Sequence, residues 1–219
     1  MPIQTRPTIE SDVPALALIN IDCFSHHEYW HNAFPSMDPA RTYPLKFARC
    51  LQKLDSMDEH VFTAVDSTTG RIIGWSRWTI PGSADARVPL SEEAKMKITQ
   101  IESVIPEGTN RALYDDFFTT LKETRALNME IDDIALDYIA TSSEYQRKGV
   151  ATKLLQWGMD YADENDVRIY LEATPEGYPL YRKYGWRKVE DIVLDFEPFG
   201  GKGTATYIVM TRERKSKRS

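Results

Sequence analysis

Ile134-Ala135-Leu136-Asp137-Tyr138-Ile139-Ala140-Thr141, Ser142-Ser143-Glu144-Tyr145, Gln146-Arg147-Lys148-Gly149-Val150-Ala151-Thr152 is the stretch whose reading decides the fold. The first eight residues form an apolar run of strand length. A short polar segment follows, then a basic loop with one glycine. Val150, Leu154, Leu155, Gly158 and Ala162 then recur at spacings of three and four, one face of a helix. A strand that turns through a glycine into a helix brings several backbone N–H groups to one place, with help from the helix dipole. That arrangement suits a phosphate-bearing ligand, with Arg147 and Lys148 adding positive charge. An ordinary strand-to-helix turn with surface charges would read the same way from this segment alone. There is no Gly-x-x-x-x-Gly-Lys-Ser/Thr, and the further glycines of a dinucleotide fingerprint are missing.

Working outward, residues 3–6 read as a first strand. Ser11-Asp12-Val13-Pro14 reads as a helix start, with a capping side chain before an early proline. A second helix is predicted over 39–54. His60–Ala64 and Arg71–Ile80 are predicted to pair as a hairpin around Asp66-Ser67-Thr68-Thr69-Gly70. Residues 91–128 have helical composition and read as an insertion before the central strand. After the central helix come a strand at 167–171, a short helix at 176–184, a strand at 187–196 and a last strand at 204–211. The expectation is one α/β domain over 1–211, a mixed, mostly antiparallel sheet of about seven strands with helices on both faces.

The chain has 219 residues, 42% of them hydrophobic, as in a globular protein. No apolar run approaches the ~18 residues of a bilayer span, so no membrane partner is expected. Met1-Pro2-Ile3-Gln4-Thr5-Arg6 has no apolar signal core. Cys23 and Cys50 do not make a disulfide framework, and a reduced, cytoplasmic location is the expectation. Net charge is −6, unevenly spread: residues 212–219 carry +4, leaving −10 on the rest. An acidic body argues against nucleic-acid binding and would suit a cationic amine. The basic tail reads as a flexible solvated end, or more sharply as a nuclear-import patch.

Beyond the central helix stands Tyr181-Arg182-Lys183-Tyr184-Gly185-Trp186. Gln146-x-x-Gly149-x-Ala151, after a strand and before Tyr181-x-x-x-Gly185-Trp186, resembles the GCN5-related N-acetyltransferase (GNAT) superfamily. Leu136 to Thr141, Glu144 to Gly149, Trp157-Gly158, Ala162-Asp163, Leu171 to Thr174 and Gly177 to Tyr181 resemble in particular a group of fungal GNAT proteins. The resemblance covers roughly residues 134–190. It implies the acyl-CoA N-acyltransferase fold with a splayed central strand pair. It implies acetyl-CoA (coenzyme A) as co-substrate without a metal, direct transfer to a primary amine, and a family habit of forming homodimers. It implies that Gln146, Arg147, Lys148, Gly149, Val150, Ala151 and Thr152 hold the pyrophosphate. Backbone groups of Ile139, Ala140 and Thr141 would pair with the pantetheine arm. Thr174, Tyr178 and Tyr181 would complete the coenzyme site. The chain departs from the pattern at Ser142-Ser143, where the fungal group often has His-Pro, at Thr174, where many members have Asn, and at Ala151, where the loop's second glycine usually stands.

An amine attacks a thioester only when neutral, and the leaving thiolate needs a proton. The resemblance puts the Tyr181 hydroxyl at the sulfur, with Tyr178, one helical turn earlier, as the fallback. Asp137 and Glu172 are the base candidates, because a carboxylate in an apolar strand is either paired or functional. His26, His27 and His31 rank after them. Phe24, Trp30 and Trp78 are the candidates for acceptor binding, on an expectation of a small-molecule amine. Two rivals stand beside this reading. One is a GNAT fold that binds acyl-CoA without catalysis. The other is a zinc hydrolase through His27-Glu28-Tyr29-Trp30-His31, which matches His-Glu-x-x-His.

Overall fold

The computed structural model describes residues 2–218. Seven strands form one sheet in the order β1-β2-β3-β4-β5-β7-β6. They are β1 (Ile3–Pro7), β2 (Glu59–Asp66), β3 (Ile72–Thr79), β4 (Ile134–Thr141), β5 (Ile169–Ala173), β6 (Arg187–Asp195) and β7 (Thr204–Arg212). The helices are α1 (Val13–Phe24), α2 (Glu28–Ala33), α3 (Tyr43–Leu54), α4 (Glu92–Thr99), α5 (Arg111–Asn128), α6 (Val150–Asn165) and α7 (Tyr178–Lys183). The β1–β2, β2–β3, β5–β7 and β6–β7 pairs are antiparallel, and β4–β5 is parallel. The predicted insertion is two helices, α4 and α5, separated by a 3-10 turn at Ile101–Val104.

The β4–β5 ladder is short. It runs from Ile134 opposite Ile169 to Leu136 opposite Leu171 and stops there. β4 continues to Thr141, and β5 continues through Glu172 and Ala173 on its β7 side. The central pair therefore parts, as the resemblance implies.

The chain divides into two compact units. The first holds residues up to Ser25, Asp38–Glu107 and Asp137–Gly158. Its core has two parts. Val13, Leu16 and Ile19 of α1 pack with Leu51 and Leu54 of α3 and with Trp75 and Ala140 of the strands. Val150 and Leu154 of α6 pack with Ala64 and Ile73. Two glycines permit this closeness. A Cβ on Gly74 would lie 2.7 Å from the Ala140 carbonyl, and one on Gly158 would lie 2.2 Å from the Trp78 ring. Ser11 does not cap α1: it lies in a 3-10 turn (Glu10–Asp12). The Asp12 carboxylate accepts the Ile9 N–H at 3.0 Å and the Arg6 guanidinium at 2.6 and 2.8 Å.

The second unit holds His26–Met37, Gly108–Leu136 and the chain from Met159 on. Leu113, Ala135, Tyr170, Ile192, Leu194, Phe196 and Val209 form its core. Buried and half-buried arginines tie its elements. Arg168 meets Asp133 at 2.5 Å, and Arg212 meets Asp163 at 2.7 Å. The expected flexible tail begins within β7, because Arg212 is that strand's last residue and is buried. Beyond it Arg214 pairs with Glu130 and Asp132, and Arg218 with Asp163. The acidic partners of these cations lie far back in the sequence, which hid the pairing. Residue 219 lies outside the described residues. Among the described residues no helix is long and apolar enough to cross a membrane.

Candidate active site

The glycine loop is built by backbone angles. After a 3-10 turn at Ser143–Tyr145, Gln146 is extended (φ −62°, ψ 154°). Arg147 then takes φ 59° and Gly149 φ 86°, and α6 starts at Val150. Left-handed residues so close together turn neighbouring N–H groups toward one side, a concavity that favours anions. The Lys153 N–H donates to the Gly149 carbonyl at 3.1 Å, and the dipole of α6 adds positive potential at this end of the helix. Gln146, Arg147, Lys148 and Gly149 are exposed, Val150 is buried, and Ala151 and Thr152 are half-buried. Nothing lies within 4 Å of where a Gly149 Cβ would stand, so glycine serves the φ value and leaves the loop open in front. The donors present thus fit a diphosphate. Lys148 folds back, its Nζ donating to the Glu144 carbonyl at 2.8 Å and lying 5.0 Å from the Tyr145 ring centre.

Ile139 and Thr141 are half-buried and Ala140 is buried. The strand's end is fixed on its β3 side, where the Ser142 N–H donates to the Ile73 carbonyl at 3.0 Å. The Cys23 thiol points to the Thr141 carbonyl at 3.1 Å, and the Ser143 N–H donates to Asp22 at 2.8 Å, so the last turn of α1 is tied to the end of β4. Cys23 and Cys50 are free thiols, and burial pushes each up to about 12.

Asp137 is paired. Thr79 Oγ1 donates to its Oδ2 at 2.5 Å, and Arg77 Nε lies 3.6 Å from the same oxygen. Arg77 also reaches Glu59 at 3.2 Å, and Glu59 meets Lys53 at 2.8 Å. The Asp137 side chain is 4% exposed, so it sits in a nearly dry network of Thr79 and Arg77. Sequence reasoning missed Arg77, Thr79 and Glu59. The one signal was the pair of charges inside the two hairpin strands.

In the second unit Glu172 is paired as well, with Arg125 of α5 at 3.2 Å. Tyr181 lies in α7 and is 6% exposed. Burial holds its hydroxyl above the ordinary tyrosine range, so it stays protonated at neutral pH and can only donate. The Tyr-x-x-x-Gly-Trp motif acquires a local reason. Gly185, at φ 95°, ends α7 in the left-handed region, and the Trp186 N–H returns to the Tyr181 carbonyl at 3.2 Å. The two rings then meet edge to face at 5.9 Å. Gly177 leaves room for this, since a Cβ there would lie 3.0 Å from Tyr181 Cε2. Thr174 shapes the turn before α7: its Oγ1 accepts the Gly177 N–H at 3.3 Å, and its carbonyl accepts those of Gly177 and Tyr178. Tyr178 is half-buried with the Arg182 guanidinium 5.8 Å from its ring centre.

Of the acceptor candidates, Phe24 is half-buried and its ring lies 5.3 Å from that of Tyr138, which stacks on Trp75 at 4.0 Å. Trp78 is corrected: it is fully buried against Gly158 and Trp157, a core residue. Trp30 is corrected likewise, being 3% exposed and packed on Phe34. The His-Glu-x-x-His spacing is not realised on a helix. His27 is the extended N-cap of the six-residue α2, outside its helical turns. Among the described residues the only group of three or more His, Cys, Asp or Glu side chains close enough to share an ion is Glu130, Asp132 and Asp133, which Arg168 and Arg214 already pair.

Residues 111–186, from α5 to the tryptophan of the motif, match the model of the Acetyltransferase (GNAT) family. Over 60 residues the chain is 30% identical to "Probable acyltransferase SID5" of Ajellomyces capsulatus, covering 27% of this chain and 44% of that protein. Over 57 residues it is 44% identical to an N-alpha-acetyltransferase of Saccharolobus solfataricus, covering 24% of this chain and 34% of that protein. The chain thus spans less than half the length of these curated relatives. Among solved structures it superposes on arylalkylamine N-acetyltransferase 2 from Aedes aegypti with a TM-score of 0.64, at 16% identity, over 97% of this chain and 99% of that one. It superposes on a protein from Corynebacterium glutamicum, described as histone acetyltransferase HPA2 and related acetyltransferase, with a TM-score of 0.62 at 21% identity, over 98% and 97% of the two chains. Motif, segment match and fold agree: residues 111–186 match the Acetyltransferase (GNAT) family model, and the whole chain shares the fold of these solved acetyltransferase structures.

Proposed function

We propose that the protein is an acyl-CoA-dependent N-acetyltransferase that passes an acetyl group directly to the primary amine of a small molecule. The observation that carries the reading is the loop before α6, with Arg147 and Gly149 both left-handed at the start of a 16-residue helix. The GNAT family match over the same segment supports it.

Acetyl-CoA, when bound, supplies an activated thioester. In this reading the N–H groups of 146–152 grip the diphosphate and the backbone of Ile139 to Thr141 pairs with the pantetheine arm, one of its N–H groups steadying the oxyanion. Thr174 and Tyr178 shape the coenzyme side of α7. Tyr181, kept protonated by burial, gives its proton to the departing sulfur. Asp137 and Glu172, paired with Arg77 and Arg125, are the groups through which the amine's proton leaves.

Release of the free thiol of coenzyme A tests the proposal, measured with acetyl-CoA and a panel of primary amines. Amine-dependent release, with acetylated amine as the second product, is the expected result. A protein that binds acetyl-CoA while no amine accelerates release would instead be a coenzyme-binding module.

A further inference from the structure

Three aromatic side chains from distant parts of the sequence meet in the second unit. Tyr29 of α2 lies 4.2 Å from Phe117 of α5, and Phe117 lies 5.4 Å from Tyr207 of β7, centre to centre, with tilts of 31° and 49°. All three flank the core of that unit and are only half-buried. Phe118, 5.1 Å from Phe117, extends the surface and is 51% exposed. The Tyr29 hydroxyl is buried and has no hydrogen-bond partner, an arrangement that is costly unless something else supplies one. The exposed carboxylate of Glu176, in the turn before α7, acts electrostatically on both Tyr207 and His27.

We infer that the amine acceptor is an aromatic primary amine, its ring laid against Tyr29, Phe117 and Tyr207 and its ammonium drawn by the Glu176 carboxylate. This rests on the transferase reading above and names its substrate class. Tilted ring contacts add attraction that a saturated ring of the same bulk does not gain. The charge balance favours a cation. Asp115 of α5 acts on Tyr29, and Glu176 acts on Tyr207. His27 is held below its ordinary value by burial and by His26, against Glu176, so it is uncharged near neutrality and does not cancel that carboxylate. All of these residues belong to one unit.

The test compares 2-phenylethylamine with 2-cyclohexylethylamine as acceptors, at saturating acetyl-CoA, in wild type, Phe117→Leu and Glu176→Gln. Acetyl-CoA binding is measured by calorimetry in all three as the control for folding. Wild type should favour the aromatic amine in kcat/KM by roughly tenfold, and Phe117→Leu should bring the ratio close to one. Glu176→Gln should raise KM for both amines by about tenfold while kcat stays within about twofold. Equal use of both amines by wild type, a preference that survives Phe117→Leu, or a fall in kcat at unchanged KM in Glu176→Gln would each overturn the inference. If wild type binds acetyl-CoA and acetylates other amines but neither of these, the aromatic acceptor is wrong and the transferase reading stands. If acetyl-CoA is not bound, both fall together.

Discussion

At the residue scale, Tyr181 and Asp137 carry different burdens. Tyr181 is buried, and its environment disfavours the phenolate. Removing its hydroxyl deletes a proton donor and little else, since the ring keeps its contact with Trp186. Tyr181→Phe should lower kcat about 100-fold while acetyl-CoA affinity measured by calorimetry stays nearly unchanged. Full turnover in that variant would move the acid elsewhere. Asp137 depends on Arg77 and Thr79. Arg77→Met takes the guanidinium away from the buried Asp137 carboxylate, while Glu59 keeps Lys53, and should cost about 3–5 kcal/mol in urea unfolding. Asp12 gives a pH signature. Burial works against its charge, but the Arg6 guanidinium and the Ile9 N–H outweigh it and hold the carboxyl below its ordinary value. A lowered folded pKa means that its stabilisation is complete above the unfolded value, about 3.9, and fades as pH falls through the folded one. Arg6→Ala should therefore lower the urea midpoint at pH 6, and the gap to wild type should close on the acid side of pH 4.

At the scale of elements, helices and strands answer to local pattern, and long-range pairing does not. The run Ile134 to Thr141 and the three–four spacing after Val150 were legible because each follows from the period of its own backbone. The turn at Asp66 to Gly70 was legible for the same reason. The six-residue α2 was not: Glu28 to Ala33 is too short to show a period, and its histidines suggested a metal motif instead. Nor could the sequence choose between a paired and a free Asp137, because Arg77 and Thr79 lie about sixty residues away and are brought across by the sheet. Trp78 looked like acceptor lining because tryptophan is common at binding surfaces. Gly158, its partner across α6, holds it in the core. Gly158→Ala should accordingly destabilise by about 1–3 kcal/mol through overpacking, although alanine favours a helix by about 1 kcal/mol. A gain in the urea midpoint would mean that the indole has room to move.

At the scale of the molecule, the proposed function rests on a proposed coenzyme site whose donors are backbone groups, placed by φ values more than by side chains. Most of the proposed coenzyme site was legible as a candidate, because Gln146 to Thr152 is one contiguous segment. The proposed acceptor side was not, because Tyr29, Phe117 and Tyr207 come from three separate stretches. Gly149 is the place to ask whether the central claim is right. It is exposed, it stands at φ 86°, and the space before it is open, so a larger residue there costs about 1 kcal/mol of backbone strain and leaves the core alone. The most direct measurement is calorimetric titration of acetyl-CoA into wild type and Gly149→Glu, each shown to be folded by its urea transition. The account predicts one saturable site per chain in wild type and no detectable heat of binding in the variant. Equal binding by both proteins, or none by a folded wild type, would contradict it.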